Sequence, residues 1–268
     1  MSNSSKPKKV ATEQVVDDSP MDKQPTTTQK PVVKNKQRVL LLSSRGITYR
    51  HRHLMQDILA LLPHAKKDNK LDSKSNLGLL NELAEVYNCN NALYFETRRK
   101  TDLYLWASKT PNGPSAKFLV QNIHTMEELN LTGNCLKGSR HLLSFDRSFD
   151  TQPHLQLLKQ LFIHTFGVPK GTRRSKPFVD HILTFSLVDN CIWFRNFQIV
   201  EKDPATGGEH QKETNLVEVG PRFVLKPIKI FEGSFRGAPL YENPDYFAEA
   251  AMRRYERQMS KFQRQPKH

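Results

Sequence analysis

Leu216-Val-Glu-Val-Gly-Pro-Arg-Phe-Val-Leu-Lys-Pro-Ile-Lys-Ile-Phe-Glu-Gly233 is the stretch on which the fold turns. Its centre, Arg222 to Phe231, reads as a strand in which Phe223, Leu225 and their apolar neighbours seek a core. Gly220-Pro221 marks the entrance and Gly233 the exit. Pro227 has no amide hydrogen to give to a ladder, so it predicts an edge position, a bulge or an interruption. Arg222, Lys226 and Lys229 set positive charge beside the apolar run. Alone, this is a packed β-element with a basic border.

Working outward, short apolar runs and polar turns alternate along the chain. Val39-Leu-Leu-Leu42 predicts a strand, followed by the Ser43-Ser-Arg-Gly46 turn. Tyr49 to Leu62 predicts a helix, because Leu54, Ile58, Leu61 and Leu62 recur near one face, and Pro63 stops it. Residues 64–75 read as a polar connection, and Leu77 to Tyr87 as a second helix. Ala92–Phe95, Leu103–Trp106 and Phe118–Val120 predict strands, two of them separated by the turn Lys109-Thr-Pro-Asn-Gly-Pro114. His141–Phe145 is another strand. Pro153 suits the first turn of a helix carrying Leu155, Leu158, Leu161, Phe162 and Phe166, with Gly167 as its stop. His181–Val188 and Cys191–Phe194 precede the strand at 222–231. Strand, polar turn, amphipathic helix and further strands thus occur twice. The class is α/β, with a coarse repeat in element order and no clear repeat of residues.

The 268 residues include 41 Lys and Arg against 27 Asp and Glu, a formal charge of +14. That excess favours nucleic acid or an acidic partner. Cys89, Cys135 and Cys191 form no Cys-x-x-Cys pair, so they are expected to be reduced and packed, without zinc or a disulfide framework. No signal peptide or membrane-length apolar span is predicted, and the expected location is intracellular, away from membranes. Residues 1–36 read as a mobile tail, in which Lys6-Pro-Lys-Lys9 is a candidate import signal. Glu201 to Gln211 reads as a flexible hairpin-like insertion.

Several stretches resemble the Brix-domain family of ribosome-assembly proteins. Leu216–Gly233 is similar to the family signature. Leu41-Leu-Ser-Ser-Arg-Gly-Ile-Thr-Tyr-Arg-His-Arg-His-Leu54 resembles the family opening, particularly in its Brix ribosome-biogenesis branch. Tyr87-Asn-Cys-Asn-Asn91, Asn130-Leu-Thr-Gly-Asn-Cys-Leu-Lys-Gly-Ser-Arg140 and Gly171-Thr-Arg-Arg-Ser-Lys-Pro-Phe178 look like further segments of that branch. The likeness runs from Arg38 to Tyr241. It implies a Brix domain of two related, tightly packed α/β halves. Residues 37–242 are expected to form it, as 37–138 and 139–242, between the 1–36 tail and a basic helical extension at 243–268. The resemblance further implies a nuclear and nucleolar assembly factor, without cofactor or catalysis, that stabilises precursor large-subunit rRNA. Its expected company is other assembly factors and ribosomal proteins.

With that resemblance in hand, charge and turn chemistry nominate the RNA contacts. Lys170-Gly-Thr-Arg-Arg-Ser-Lys176 gathers Lys170, Arg173, Arg174 and Lys176 in a flexible loop with no carboxylate. Such a loop can follow a phosphate path, and its arginines can make shaped contacts. Arg45, Arg50 and Arg52 flank the Gly46 turn, which lacks the Gly-Lys-Ser/Thr of a phosphate loop but can still contact phosphates through guanidinium groups. Arg98, Arg99, Lys100, Arg222 and Arg236 complete the set. Tyr94, Phe95, Tyr104 and Trp106 are able to stack on bases, although aromatic residues in short strands more often line a core. Phe235 carries the same two readings. Met252, Tyr255, Met259 and Phe262 form an apolar stripe for a protein partner or for the domain itself.

No Ser/His/Asp, Cys/His or metal-binding arrangement stands out. Asp57, Asp68 and Asp72 are the acidic residues weighed for metal-dependent RNA processing, but they straddle a helix and an irregular connection. His51 and His53, two residues apart on a helix, make a poor metal pair. A scaffold for protein contacts in preribosomal particles, with little direct RNA readout, is the other non-enzymatic reading.

Overall fold

A computed structural model describes residues 37–71, 76–128, 131–169, 172, 174–202, 213–247, 252, 254–256 and 259. In chain order they form β1 (Val39–Ser43), α1 (Tyr49–Leu61), β2 (Ala65–Lys67), α2 (Leu79–Val86), β3 (Asn91–Arg98), β4 (Asp102–Lys109), β5 (Ser115–His124) and β6 (Arg140–Phe145). A 3-10 turn (Arg147–Asp150), α3 (Pro153–Phe166), β7 (Val179–Val188), β8 (Cys191–Lys202), β9 (Glu213–Glu218), β10 (Arg222–Phe231) and β11 (Pro239–Glu242) follow.

The strands join one 11-stranded sheet along the path β2-β1-β3-β4-β5-β10-β8-β7-β6, with β11 on β10 and β9 on β8. Beyond β2, which has no counterpart at the other end of the path, the order reads alike from both ends inward. β1 lies parallel to β3, and β6 lies parallel to β7. All other pairings along β3-β4-β5 and β7-β8-β10 are antiparallel. The two runs meet where β5 pairs β10, from Arg222↔His124 to Phe231↔Ser115. The stretch quoted first is therefore the seam between two related α/β halves.

Pro227 is not at an edge. β10 pairs β8 through Phe223–Leu225 and β11 through Lys229–Phe231, and its register against β5 shifts between Pro227 and Lys229. The proline sits where the neighbouring strand changes, so no ladder bond is required of its missing amide. Asn243 closes the gap: its side-chain amide donates to the Pro227 carbonyl at 2.8 Å and its backbone N–H to that of Ile228 at 2.9 Å.

Helical and strand periodicities converge on one core. Leu54, Met55, Ile58 and Leu61 of α1 and Leu155, Leu158, Phe162 and Phe166 of α3 pack with Phe95, Leu105, Phe118, Phe185, Phe194, Phe223 and Leu225. Phe162 stacks on Phe185 at 5.0 Å and Phe194 on Phe223 at 4.5 Å between centroids, and Phe162 meets Phe118 of β5 at 5.6 Å, so aromatic packing carries the core across the seam. On the opposite sheet face α2 brings Leu80 and Ala84 over Leu40, Leu42, Tyr94 and Trp106, with Phe235 beside them. No described helix buries the corresponding face of β7 and β8.

Local sequence missed three edge strands. Ala65–Lys67 lies inside the expected connection, yet forms β2 beside β1, with Leu71 bridged to Ser44. β9 and β11 were also missed; such short segments are held by a neighbour's free edge and carry no pattern of their own. Of Glu201–Gln211 only the first two residues are described, and they extend β8. Gly167 ends α3 in extended geometry (φ −66°). A Cβ there would lie 2.4 Å from the Ile163 carbonyl oxygen, so close approach and not a left-handed backbone selects glycine.

Tyr87-Asn-Cys-Asn-Asn91 is a structural knot. The Asn90 side chain accepts the Arg38 N–H at 2.8 Å, Asn91 donates to Gln37 Oε1 at 2.7 Å and to the His164 carbonyl at 3.2 Å, and Thr110 donates to the Cys89 carbonyl at 3.0 Å. It ties the start of β1 to the end of α3. All three cysteines are free thiols.

Gly113 holds the β4–β5 turn at φ +94°, and a Cβ would fall 2.4 Å from the Glu232 carbonyl oxygen. Gly113→Ala is expected to destabilise the domain by about 2 kcal/mol or more, read from the urea midpoint. An unchanged midpoint would show that the turn relaxes freely.

Candidate nucleic-acid interface

The pairing register places basic segments from both halves at one edge of the sheet. β1, β3, β5 and β8 end there, while β4, β6, β7 and β10 begin there. Arg45 follows β1, and the first turn of α1 brings Arg50 and Arg52. Arg98, Arg99 and Lys100 form the β3–β4 turn, Arg222 opens β10, and Arg174 and Lys176 precede β7. Arg236 is not part of this group. It follows β10 at the opposite edge, where Gly233 packs against Gly113. Lys170 and Arg173, like Asp72, Phe262 and the Lys6–Lys9 segment, lie outside the described residues.

Local chemistry fixes how each cation is presented. Thr48 caps α1, accepting the His51 N–H at 3.5 Å, which fixes the start of the helix shortly after the end of β1. Arg50 is paired with Glu128 at 2.7 Å, while Arg52 lies 5.9 Å from the centroid of the exposed Tyr49 ring. Arg222 faces Glu218 at 3.7 Å. Arg99 and Lys100 adopt positive φ (52° and 63°) and project as exposed side chains. Arg174 and Lys176 are also exposed, on a loop tied to the Gly138 turn by the Lys176 N–H donating to the Gly138 carbonyl at 2.8 Å. Arg140 donates to Ser175 Oγ at 3.0 Å and steadies the same loop. Arg99, Lys100, Arg174 and Lys176 form no ion pair with a described residue. They are the readiest phosphate partners at this edge.

Behind the turn lies a buried charge network. Glu96 accepts Arg98 Nε at 2.6 Å, Trp106 Nε1 at 2.9 Å and Lys117 Nζ at 3.1 Å. Burial pushes the Glu96 carboxyl up, but the indole N–H, Lys117 and Arg98 together outweigh it and hold the group below its ordinary range. Arg98 is thereby shared between the network and the Tyr104 ring, 5.3 Å from its centroid.

The predicted stacking set is mostly core: Tyr94, Phe95 and Trp106 are buried, and half-buried Tyr104 meets the Tyr246 hydroxyl at 3.3 Å. Phe235 is also buried, packed on Trp106, and so serves as an anchor. Sequence reasoning passed over His124, Trp193 and Arg195. They line a groove of about 150 Å³ with Asn122, Arg222 and Val224. The available signal was the period of two in Cys191-Ile-Trp-Phe-Arg-Asn-Phe197, which sets Trp193, Arg195 and Phe197 on one face.

The acidic residues weighed for catalysis have structural duties. Buried Asp57 accepts the Met126 N–H at 3.0 Å, and Asp68 accepts the Tyr87 hydroxyl at 2.9 Å. Among the described residues no group of three or more His, Cys, Asp or Glu is placed to hold a metal, and no helix is long and apolar enough to cross a membrane. Met252, Tyr255 and Met259 are exposed.

A family model described as the Brix domain matches residues 44–229. The chain is 56% identical over 221 residues to "Ribosome biogenesis protein BRX1" of Saccharomyces cerevisiae, covering 82% of this chain and 76% of that protein. It is also 56% identical over 239 residues to the human "Ribosome biogenesis protein BRX1 homolog", covering 89% of this chain and 65% of that protein. It thus spans somewhat less than two thirds of the human relative's length. A solved structure, the probable ribosomal biogenesis protein from Aeropyrum pernix K1, aligns with a TM-score of 0.47 at 15% identity, over 71% of this chain and 96% of that one. With the family signature at the seam of its sheet and more than half its length matched, the chain belongs to the Brix-domain family of ribosome biogenesis proteins.

Proposed function

We propose that the chain is an assembly factor of the large ribosomal subunit that holds precursor rRNA along the basic edge of its sheet, without itself catalysing a reaction. Its relatives' names supply the ribosome-biogenesis role, and a factor in that role is expected to work in the nucleus and nucleolus. One observation carries the RNA reading: strand register gathers Arg45, Arg98, Arg99 and Lys100 of one half and Arg174, Lys176 and Arg222 of the other at a common edge. A rigid sheet holding cations from both halves can bridge phosphates that are distant in the RNA chain. Stabilisation of one precursor conformation follows, until later interactions replace the factor.

The test is salt-dependent binding of precursor large-subunit rRNA fragments by the full chain and by a variant with Arg99, Lys100, Arg174 and Lys176 changed to Ala. The expected result is an affinity loss of about tenfold or more at physiological salt. The slope of log K against log[salt] should become shallower by about 0.7 for each single-strand phosphate that the variant no longer neutralises. Equal affinity in a folded variant would overturn the assignment. Exposed Met252, Tyr255 and Met259 favour a second activity, docking of a protein partner by the 243–268 segment. Deleting residues 248–268, which leaves Asn243 and Tyr246 in place, is expected to release a subset of assembly factors while RNA affinity persists.

A further inference from the structure

We infer that the face of β7, β8 and the start of β10 around Trp193, which no described helix covers, is a stacking platform for single-stranded RNA; this deepens, and rests on, the RNA-binding reading above. The asymmetry between the halves is its origin. Both tryptophans of the chain lie on the sheet face opposite α1 and α3. Trp106 is roofed by α2, Phe231 and Phe235, is 5% exposed, and spends its N–H on Glu96. In the second half only the 3-10 turn and α3 come between β6 and β7, and α3 packs on the other face. No counterpart of α2 covers Trp193 among the described residues, and it stays half-buried.

Trp193 and Arg195 form a ridge between two grooves. The first, about 150 Å³, contains His124 and Arg222; the second, about 370 Å³, contains Thr184, Ser186 and Phe197. No described carboxylate lines either groove. The Arg195 guanidinium lies 5.6 Å from the Trp193 ring centroid, so the aromatic surface already carries an adjacent positive charge. Bases have π-faces and phosphates are anionic; this ridge offers a partner to each, while the Thr184 and Ser186 hydroxyls can meet base edges. The first groove opens beside Arg222, at the basic edge, so one RNA chain can pass from phosphate contacts there onto the platform. A stacked base needs a strand whose bases are unpaired, which selects single-stranded RNA over a duplex.

The experiment titrates the full chain, Trp193→Ala and Trp193→Phe with oligouridine and with a duplex of equal length, following tryptophan fluorescence and anisotropy of labelled RNA. Trp193→Ala is expected to weaken oligouridine binding about tenfold or more, leaving duplex affinity and the salt slope unchanged. Trp193→Phe should recover most of the loss, and fluorescence quenching on binding should disappear in both variants. Unchanged oligouridine affinity in folded Trp193→Ala overturns this inference alone and leaves the face to a protein partner. No RNA binding by the unchanged chain overturns it together with the reading beneath it. Should Trp193→Ala fail to fold, ultraviolet crosslinking of the unchanged chain decides: a crosslink within residues 191–197 supports the platform, and crosslinks confined to the edge loops overturn it.

Discussion

Acidification from neutral pH to about 4 is expected to remove about 3 kcal/mol of folding stability for each of two buried histidines, His64 and His141. The Nε2–H of each ring faces a carbonyl at the C-terminal end of α3: Thr165 at 3.1 Å for His64 and Phe166 at 2.6 Å for His141. These are carbonyls that an α-helix leaves without an internal partner, so the rings act as buried caps, one from each half. Burial holds both rings neutral, lowering each from 6.5 to about 4 despite the help a carbonyl gives the protonated form. The unfolded chain takes up these protons as the pH falls below about 6.5, whereas the folded protein resists until about 4. Stability is therefore complete above 6.5 and drains away through that window. His51, also lowered by burial, adds in the same direction. Asp57 opposes it, because burial raises its carboxyl and its protonation favours the folded state. Urea unfolding at pH 7 and pH 4.5 measures the difference, and His64→Gln or His141→Gln should each remove a large part of it. A stability that does not change over this range would refute the buried-cap assignment.

Glu96→Ala is expected to destabilise the domain by about 3–5 kcal/mol, the typical result of breaking a buried ion pair from one side. The Glu96 side chain is 7% exposed, and the Lys117 side chain it faces is 13% exposed. Without Glu96, the Lys117 ammonium remains over the Trp106 and Tyr104 rings, 4.6 and 4.8 Å from their centroids, with its counter-charge gone. Lys117→Met in the Glu96→Ala background should restore part of the loss, since it removes the stranded charge; chemical denaturation of the double-mutant cycle gives the coupling. The lowered Glu96 carboxyl also contributes stability that is present above its ordinary range near 4.5 and lost as the pH falls through its folded value. A Glu96→Ala variant as stable as the parent would mean that Lys117 reaches water by a route the native packing lacks. The same substitution frees Arg98 from its anchor, so it should loosen the 98–100 turn and weaken RNA binding modestly.

The elements with strong internal periodicity are legible in the sequence alone. α1, α3, β7 and β10 appear where Leu54–Leu61, Leu155–Phe166, His181–Val188 and Arg222–Phe231 placed them. Their apolar residues repeat at a spacing that only one backbone geometry can bury. β2, β9 and β11 were not legible, because a short edge strand takes its hydrogen bonds from a neighbour and leaves little pattern in its own residues. Pro227 shows the same limit: its missing donor was evident, but a central strand that changes neighbours at that residue is a property of the sheet.

The candidate interface divides similarly. Basic loops announce themselves by composition, so Arg98–Lys100 and Arg174–Lys176 stood out in the chain, as did Arg236. Only register put the first two groups at one edge and Arg236 at the other. Stacking candidates went astray because aromatic residues in strands look alike until their covering layer is known. Tyr94 and Trp106 lie beneath α2, whereas Trp193 has no described helix over it. By itself, then, the sequence determined the α/β class, the repeated order of elements, the family likeness and the basic character. Those follow from spacing and charge along the chain. The tertiary structure decided which cations share an edge, which carboxylates are buried, and which tryptophan faces outward, because each depends on pairings between residues that the chain itself keeps far apart.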